Sequence, residues 1–99
     1  FPVSYLSRLP VPPNDRLEEL LNQMMPREAR NLGLVGSARI QVQVEADGRV
    51  RVLRVLSEDH EGFGRACQEA VRRGGPWGPG LDREGDGAAT VIPFRCTFI

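Results

Sequence analysis

Few side chains in this sequence have the chemistry of a reactive site: two cysteines, Cys67 and Cys96, and a single histidine, His60. A structural zinc ion needs four ligands, and both cysteines fall on faces that the sequence pattern places in the core, so no metal site is expected. Ser57 and Asp59 stand near His60 and match a hydrolytic triad in composition only, because triad members usually converge from separate elements. We therefore expect no catalysis, no metal and no cofactor.

The two cysteines allow two interpretations. Cys67 lies on the apolar face of a predicted helix, and Cys96 lies on the inward face of a predicted strand. A disulfide between them would close a loop of about 30 residues, which is worth about 3–4 kcal/mol of stability by chain entropy. The alternative is a pair of reduced cysteines that fill the core as small apolar side chains. An even number of cysteines is compatible with an oxidising compartment.

The composition argues against several classes of partner. The 99-residue chain has 13 basic residues, all of them arginine, and 13 acidic residues, so its formal net charge is zero. Nucleic acids and anionic membranes are held by a surplus of basic residues, so neither is expected as the main partner. The glycines around Trp77 are interrupted by prolines and do not follow a strand, so they do not predict a phosphate-binding loop or a small-molecule substrate.

Prolines mark the boundary of the predicted domain. Proline fixes φ and removes a hydrogen-bond donor, so we expect residues 1–13 to be the end of an extended linker. Residues 14–99 then form one domain. The chain begins with Phe1 and not with Met, so we expect it to be part of a longer protein whose membrane anchor or export signal lies upstream. The prolines of the linker segment are Pro2, Pro10, Pro12 and Pro13.

Two short helices are predicted before the first strand. Apolar residues over 17–24 recur at the spacing of one helix face. Asn14 or Asp15 is the expected N-cap of this helix, because short polar side chains satisfy the free amides of a helix start. A second short helix is expected over residues 26–32, ending at Gly33.

An alternating pattern then predicts a hairpin. Apolar and polar residues alternate over 38–45, which indicates a strand with one buried face. The Asp-Gly pair at 47–48 favours a tight hairpin turn. The returning strand covers 49–56, and its alternation slips near Arg51 and Val52, which predicts a β-bulge there.

A third helix and a last strand complete the pattern. Apolar residues from Phe63 to Val71 follow the helical period, a glycine-rich loop covers 74–87, and alternation returns from Thr90 to Ile99. These elements predict an α+β fold in which a three-stranded antiparallel sheet, in the order 2-1-3, has helices packed on one face. The first strand lies in the middle of this sheet, and the last strand lies at an edge.

Four further residues are expected to have structural roles. Trp77 is expected to cover the core at the end of the third helix. Arg49, Arg51 and Arg54 fall in the second strand, where they are expected to form a solvated face.

Pro93 is the most informative residue of the last strand. A proline within a strand cannot donate to the ladder, so it belongs at a sheet edge with its nitrogen facing outward. Because main-chain direction alternates along a strand, every second residue then presents its main chain to the free edge. The alternative is that Pro93 only protects this edge from aggregation. The residues expected to pair with an incoming peptide are Val91, Pro93, Arg95 and Thr97.

An ordered series of motifs covers the chain from Met25 to Phe98. Met25-Pro26 is followed by the strand–turn–strand run ARIQVQVEADGRVRVLRVLS, the helix FGRACQEAVRR, the Trp-Gly-Pro unit at 77–79 and the ending VIPFRCTF. Together these motifs resemble the TonB C-terminal domain family. Three features depart from the family pattern: Met25 replaces an aromatic residue, Gly74-Gly75 replaces a helix-ending tryptophan, and a helix over 15–24 replaces an extended approach.

The resemblance implies a function. Domains of this family form the periplasmic part of proteins anchored in the inner membrane, where inner-membrane motor proteins act on the upstream region. The domain captures a short peptide of an outer-membrane transporter, the TonB box, as an added strand beside the last strand. The departures leave open an alternative, in which a TonB-like domain couples another envelope-spanning machine, such as a gliding motility or secretion complex.

Overall fold

The computed structural model describes all 99 residues. The chain forms a 3-10 turn followed by three helices and five strands. In chain order these are the turn Val3–Tyr5, α1 Asn14–Met24, α2 Arg27–Asn31, β1 Gly36–Val44, β2 Val50–Glu58, α3 Phe63–Arg73, β3 Gly80–Leu81, β4 Gly87–Ala88 and β5 Thr90–Phe98. None of the helices combines the length and the apolarity that a membrane crossing requires.

The main sheet is three-stranded and antiparallel, in the order β2-β1-β5. This confirms the predicted α+β fold, since β5 is the last strand of the sequence pattern. β1 is the middle strand, and its apolar residues alternate with polar ones. The apolar residues Ile40, Val42 and Val44 are all fully buried under the helices. α3 packs on β1 and β2, and α1 packs on α3 and β5. The helices therefore cover one face of the sheet, and the other face, which we call the open face, has no helix on it.

The start of α1 differs from the prediction. Pro13 occupies the N-cap position without a side-chain hydrogen bond, and Asn14 is already helical. The prediction of Asn14 or Asp15 as the cap is therefore wrong. The amide of Leu17 donates to the Pro13 carbonyl at 3.0 Å. The first helical hydrogen bond therefore starts from Pro13, and the helix begins at Asn14, one residue before the start that an Asn14 cap would give.

The two pairings of β1 differ in regularity. β1 and β5 pair residue by residue from Gly36 opposite Phe98 to Val44 opposite Thr90 without a register shift. The pairing of β1 with β2 has two shifts. The first leaves Leu53 without a partner, next to the position that the sequence predicts, and the second leaves Leu56 without one.

The glycine-rich segment after α3 packs against the β1–β2 turn. The amide of Trp77 donates to the carbonyl of Gly48 at 2.9 Å, and the Trp77 side chain is only 3% exposed. Gly48 has a φ of +92°, and a Cβ at this position would lie 2.2 Å from the Trp77 carbonyl oxygen. The turn therefore requires glycine both for its backbone conformation and for this contact.

Residues 1–13 are largely extended, and they are hydrogen-bonded to the segment after α3. The amide of Val11 and the carbonyl of Gly78 are 2.8 Å apart, and a reciprocal bond of the same length runs from Gly78 to Val11. Arg8 pairs with Leu81 in the same antiparallel sense. Leu81 also belongs to the small β3–β4 ladder, a pairing that the sequence pattern does not predict.

Candidate functional site

The candidate site is the free edge of β5, and its main-chain directions follow from the hydrogen bonds of β1. The carbonyl of Ser37 accepts from the amide of Asp59 at 2.9 Å, and the amide of Glu45 donates to the carbonyl of Arg49 at 2.8 Å. Ser37 of β1 and Glu45, the residue that follows β1, therefore both face the β2 side. Because direction alternates along a strand, the odd-numbered residues of β1 face β2 and the even-numbered residues face β5.

The register between β1 and β5 then fixes the direction of each β5 residue. The even-numbered residues of β1 from Ala38 to Val44 lie opposite Cys96, Phe94, Ile92 and Thr90. These four residues of β5 exchange hydrogen bonds with β1, because partners in a hydrogen-bonded pair face each other. Phe98, opposite Gly36, faces β1 in the same way. The residues whose main chain faces outward are the remaining four of the nine, Val91, Pro93, Arg95 and Thr97.

The outward groups of β5 have no strand beside them. β5 pairs only with β1, and no hydrogen bond outside this ladder involves the main chain of Val91, Arg95 or Thr97. All four outward residues are exposed. The nitrogen of Pro93 has no hydrogen, so its outward direction leaves the β1–β5 ladder without a missing bond.

The start of β5 is held by the first residue of the chain. The Phe1 nitrogen donates to the carbonyl of Ala89 at 2.7 Å, and the hydroxyl of Thr90 donates to the carbonyl of Phe1 at 2.8 Å. The free edge therefore begins beyond Phe1, at Val91. Residues 1–3 also line a pocket with Val91, so the part of the edge without a neighbouring segment runs from Pro93 to Thr97.

A groove runs between the β5 edge and α1, and we call it the α1–β5 groove. Its volume is about 260 Å³. The apolar lining comes from both elements and from the end of the chain, and three polar residues of α1 form one rim at the spacing i, i+4 and i+8. The lining residues are Leu17, Leu21, Phe94 and Ile99, with Asn14, Glu18 and Asn22 on the rim and Arg95 and Thr97 on the strand. The sequence analysis did not identify this groove, although the spacing of the α1 leucines indicates a helix that packs on the sheet.

A disulfide ties β5 to the helix layer. Cys67 of α3 and Cys96 of β5 are bonded, with their Cα atoms 5.7 Å apart. Both residues are fully buried, and Cys96 lies on the face that packs against the helices. The bond therefore fixes the edge strand to α3 across the core, at a residue directly between the outward Arg95 and Thr97.

The residues that resemble a triad in composition serve other contacts. The Nε2 atom of His60 is 3.1 Å from the carbonyl oxygen of Val35. The carboxylate of Asp59 accepts from the amide of Ser37 at 2.7 Å. Ser57 belongs to β2, where it lies opposite Arg39. These bonds tie the β2–α3 connection to the start of β1.

Another charged group stands at the β1–β2 turn. Asp47 accepts a hydrogen bond from the amide of Arg49 at 3.1 Å and pairs with the Arg49 guanidinium at 2.8 Å. These contacts, with the amide bond foremost, hold the pKa of Asp47 below its usual value. The Asp47–Arg49 pair is exposed and lies at the β1–β2 turn, away from the α1–β5 groove. It is therefore a contact of the turn and not part of the candidate site.

The fold is that of a small α+β domain with helices on one face of a three-stranded antiparallel sheet. The chain belongs to the Gram-negative bacterial TonB protein C-terminal family, whose sequence model matches residues 22–98. This confirms the resemblance drawn from the motifs. Comparison with curated proteins gives no match. Domains of this family are energy-transducing, non-enzymatic modules of envelope-anchored proteins, and they interact with outer-membrane proteins in the periplasm.

Proposed function

We propose that this domain captures an extended peptide of an outer-membrane transporter, its TonB box, as a strand added along β5. The observation that supports the proposal is the edge itself. β5 has nine residues in continuous register with β1, and its outward main-chain groups are exposed and unbonded. A regular strand of this kind is a template for a further strand. The proposed partner-binding residues are Val91, Pro93, Arg95 and Thr97.

The energetics of strand addition favour a reversible contact. Four to six new main-chain hydrogen bonds contribute about 1 kcal/mol each, whereas ordering the peptide costs about 1–2 kcal/mol per residue. Main-chain bonds alone therefore do not hold the peptide. The α1–β5 groove supplies the remainder, because every second side chain of an added strand would face the helix side and cover the half-buried Phe94 and the exposed Ile99.

The location and the coupling of the domain are part of the same proposal. We place it in the periplasm, as part of a protein anchored in the inner membrane and driven by inner-membrane motor proteins through the region upstream of this domain. Membership of the family supports this placement. The Cys67–Cys96 disulfide also supports it, since such bonds form in oxidising compartments such as the bacterial periplasm.

A titration followed by NMR tests the binding site. We expect a TonB-box peptide to shift the amide signals of Val91, Arg95 and Thr97 in the labelled domain, and to leave those of β2 largely unchanged. Two control peptides carry N-methyl groups on alternate residues, one set on the odd positions and the other on the even positions. One control should lose binding and the other should keep it, because only every second amide of an added strand faces β5. Equal binding of both controls, or shifts confined to β2, would contradict strand addition at β5.

A second candidate function is a coupling domain of another envelope-spanning machine, such as a gliding motility or secretion complex. Two departures from the family pattern favour it: α1 in place of an extended approach, and Gly74-Gly75 in place of a tryptophan. Binding to an envelope scaffold protein in the absence of any response to TonB-box peptides would select this candidate.

A further inference from the structure

The open face of the sheet is basic although the whole chain has no net charge. The side chains of the even-numbered β1 residues are buried under the helices, so the odd-numbered residues and their partners on β2 and β5 point to the open face. Four arginines lie there, and none of them takes part in the three ion pairs of the structure. These residues are Arg39 of β1, Arg51 and Arg54 of β2, and Arg95 of β5.

Two of these arginines lie directly opposite each other. Arg39 pairs with Arg95 across β1 and β5. The main chain of Arg39 faces β2, so this is a non-hydrogen-bonded pair, in which opposite side chains come closest. Like charges in this position destabilise a sheet. Both residues are exposed, and neither guanidinium takes part in an ion pair of the fold, so no charge contact within the domain accounts for the pair.

The carboxylates that border the open face do not neutralise the pair. Glu45, at the turn end of β1, accepts from the side chain of Gln43 at 3.0 Å. Asp59, at the other end, accepts from Ser37 at 2.7 Å. Glu58 of β2 lies opposite Ala38, on the helix side of the sheet, and accepts from the amides of Gly62 and Gly64 at 3.1 Å. The remaining acidic residues lie on the helices and in the loops, including the cluster at 82–86. The Arg39–Arg95 pair is therefore a local excess of positive charge beside the free edge.

We propose that the Arg39–Arg95 pair selects an acidic side chain on the captured strand, at the position opposite Arg95. This inference rests on the proposed strand addition at β5. A residue paired with Arg95 has its side chain on the same face as Arg95, whichever way the guest strand runs. A carboxylate there lies on the strand next to Arg95, one strand spacing of about 4.8 Å from β5 and two spacings, about 9.6 Å, from β1, so the long side chain of Arg39 reaches toward it across β5. Two guanidinium groups can then donate to its oxygens, and the repulsion between them is relieved.

The preference applies to a single position. The other outward residues of β5, Val91, Pro93 and Thr97, have no charge, so an acidic side chain opposite them meets no guanidinium on β5. Arg51 and Arg54 stand on β2, three strand spacings from the guest and one further than Arg39, and Arg54 already donates to Gln41 at 3.3 Å. A peptide carboxylate in one register therefore fits the pattern better than a diffuse anionic surface, which would use all four arginines equally.

A series of peptides tests this inference. The starting peptide is a TonB-box peptide in which every charged side chain is replaced by an uncharged one, and one glutamate is then moved along it, with glutamine at the same position as its control. We expect one position at which glutamate binds about two- to fivefold more tightly than glutamine at low ionic strength, the scale of an exposed ion pair. This preference should vanish in 1 M salt, where the Debye length is about 3 Å.

Variants of the domain test which arginines cause the preference for glutamate over glutamine. Arg95→Gln should abolish the glutamate preference, and Arg39→Gln should reduce it, while both should still bind the neutral peptide. Arg65→Gln, an exposed arginine of α3 on the helix side, is the matched control and should keep the full preference. The difference between glutamate and glutamine peptides isolates the charge contact from any general effect of a substitution on the fold.

The outcomes separate this inference from the proposed function. If the neutral peptide shifts the β5 amides but glutamate brings no gain at any position, the charge selection is wrong and strand addition stands. If no peptide shifts the β5 amides, strand addition itself is wrong. Binding of vesicles with anionic lipid, weakened as much by Arg51→Gln as by Arg95→Gln, would also overturn the selection, because it would assign the arginines to a charged surface.

Discussion

The sheet has two edges of equal length, and they differ in almost every respect. β5 keeps one register with β1 over its nine residues, whereas β2, also of nine residues, carries bulges at Leu53 and Leu56. A bulge bends a strand and interrupts the spacing of its outward groups, so β2 is a poor template for another strand. β5 has only Pro93 as such an obstacle. The comparison shows that a single domain can protect one edge and leave the other available.

The two edges are also fixed to the helices by different means. β5 is joined to α3 by the Cys67–Cys96 disulfide. β2 is held to the same helix by close packing, since a Cβ on Gly64 would lie 2.8 Å from a methyl group of Val55. The free edge strand β5 is thus attached covalently to α3, whereas the bulged edge strand β2 is held to α3 by close side-chain packing.

The largest expected effect comes from removing the disulfide. It closes a loop of 29 residues, so Cys67→Ala/Cys96→Ala should lower the free energy of unfolding by about 3–4 kcal/mol. Chemical denaturation with and without reductant measures this loss, and the double variant should not respond to reductant. A wild-type domain with the same stability in both conditions would show that β5 does not depend on its covalent attachment.

The next effect concerns the attachment of β2. Gly64→Ala should destabilise the domain by about 1–3 kcal/mol through overpacking against Val55. The gain in helix propensity on replacing glycine, at most about 1 kcal/mol, offsets part of this loss. The double variant Gly64→Ala/Val55→Ala makes room for the new methyl group. Its loss of stability should therefore be smaller than the sum of the losses of the two single variants. Additive losses in denaturation would contradict the close contact.

A smaller effect tests the direction of Pro93. Pro93→Val restores an amide that faces the free edge, so it should add one hydrogen bond to a captured strand and tighten peptide binding about fivefold. It should also promote self-association, because the edge loses its obstacle. Peptide titration and sedimentation measure the two effects. A variant that instead gains a hydrogen bond within the folded domain, seen as higher stability and unchanged peptide binding, would place the nitrogen toward β1.

The smallest expected effect is a pH dependence at the turn that leads into β2. Asp47 has a folded pKa below its unfolded value, so its stabilisation is present above the unfolded pKa of about 4 and is lost as the pH falls through the folded pKa. Asp47→Asn should therefore remove part of the acid-induced loss of thermal stability below pH 4. Melting temperatures of both proteins between pH 2 and pH 6 measure the difference, and parallel curves would exclude this contribution.

The sequence predicts the main sheet well because its core is periodic. The alternation around Ile40 and Val42 identifies the central strand, and Pro93 identifies the edge strand. The β3–β4 pairing has no such signal, since two-residue strands show no period. The contact of Val11 with Gly78 depends on where the fold brings two proline- and glycine-rich segments together, and neither segment carries an apolar pattern that would reveal it.

The α1–β5 groove and the Arg39–Arg95 pair were missed for a related reason. Each depends on residues that are remote in the chain and become neighbours only in the β1–β5 register. A sequence pattern identifies which face of an element is apolar, but it does not align two strands residue by residue. The partner-binding role of β5 remains a prediction, which the peptide titration tests.

The unbroken register of β5 has a mechanical consequence. Hydrogen bonds in an antiparallel ladder run across the strands, so tension applied along a strand added to β5 would shear all of its bonds together. Tension applied across the strand would instead open them one after another. A bound peptide that dissociates readily without force can therefore resist tension directed along its own length. The direction of the force would determine the lifetime of the complex.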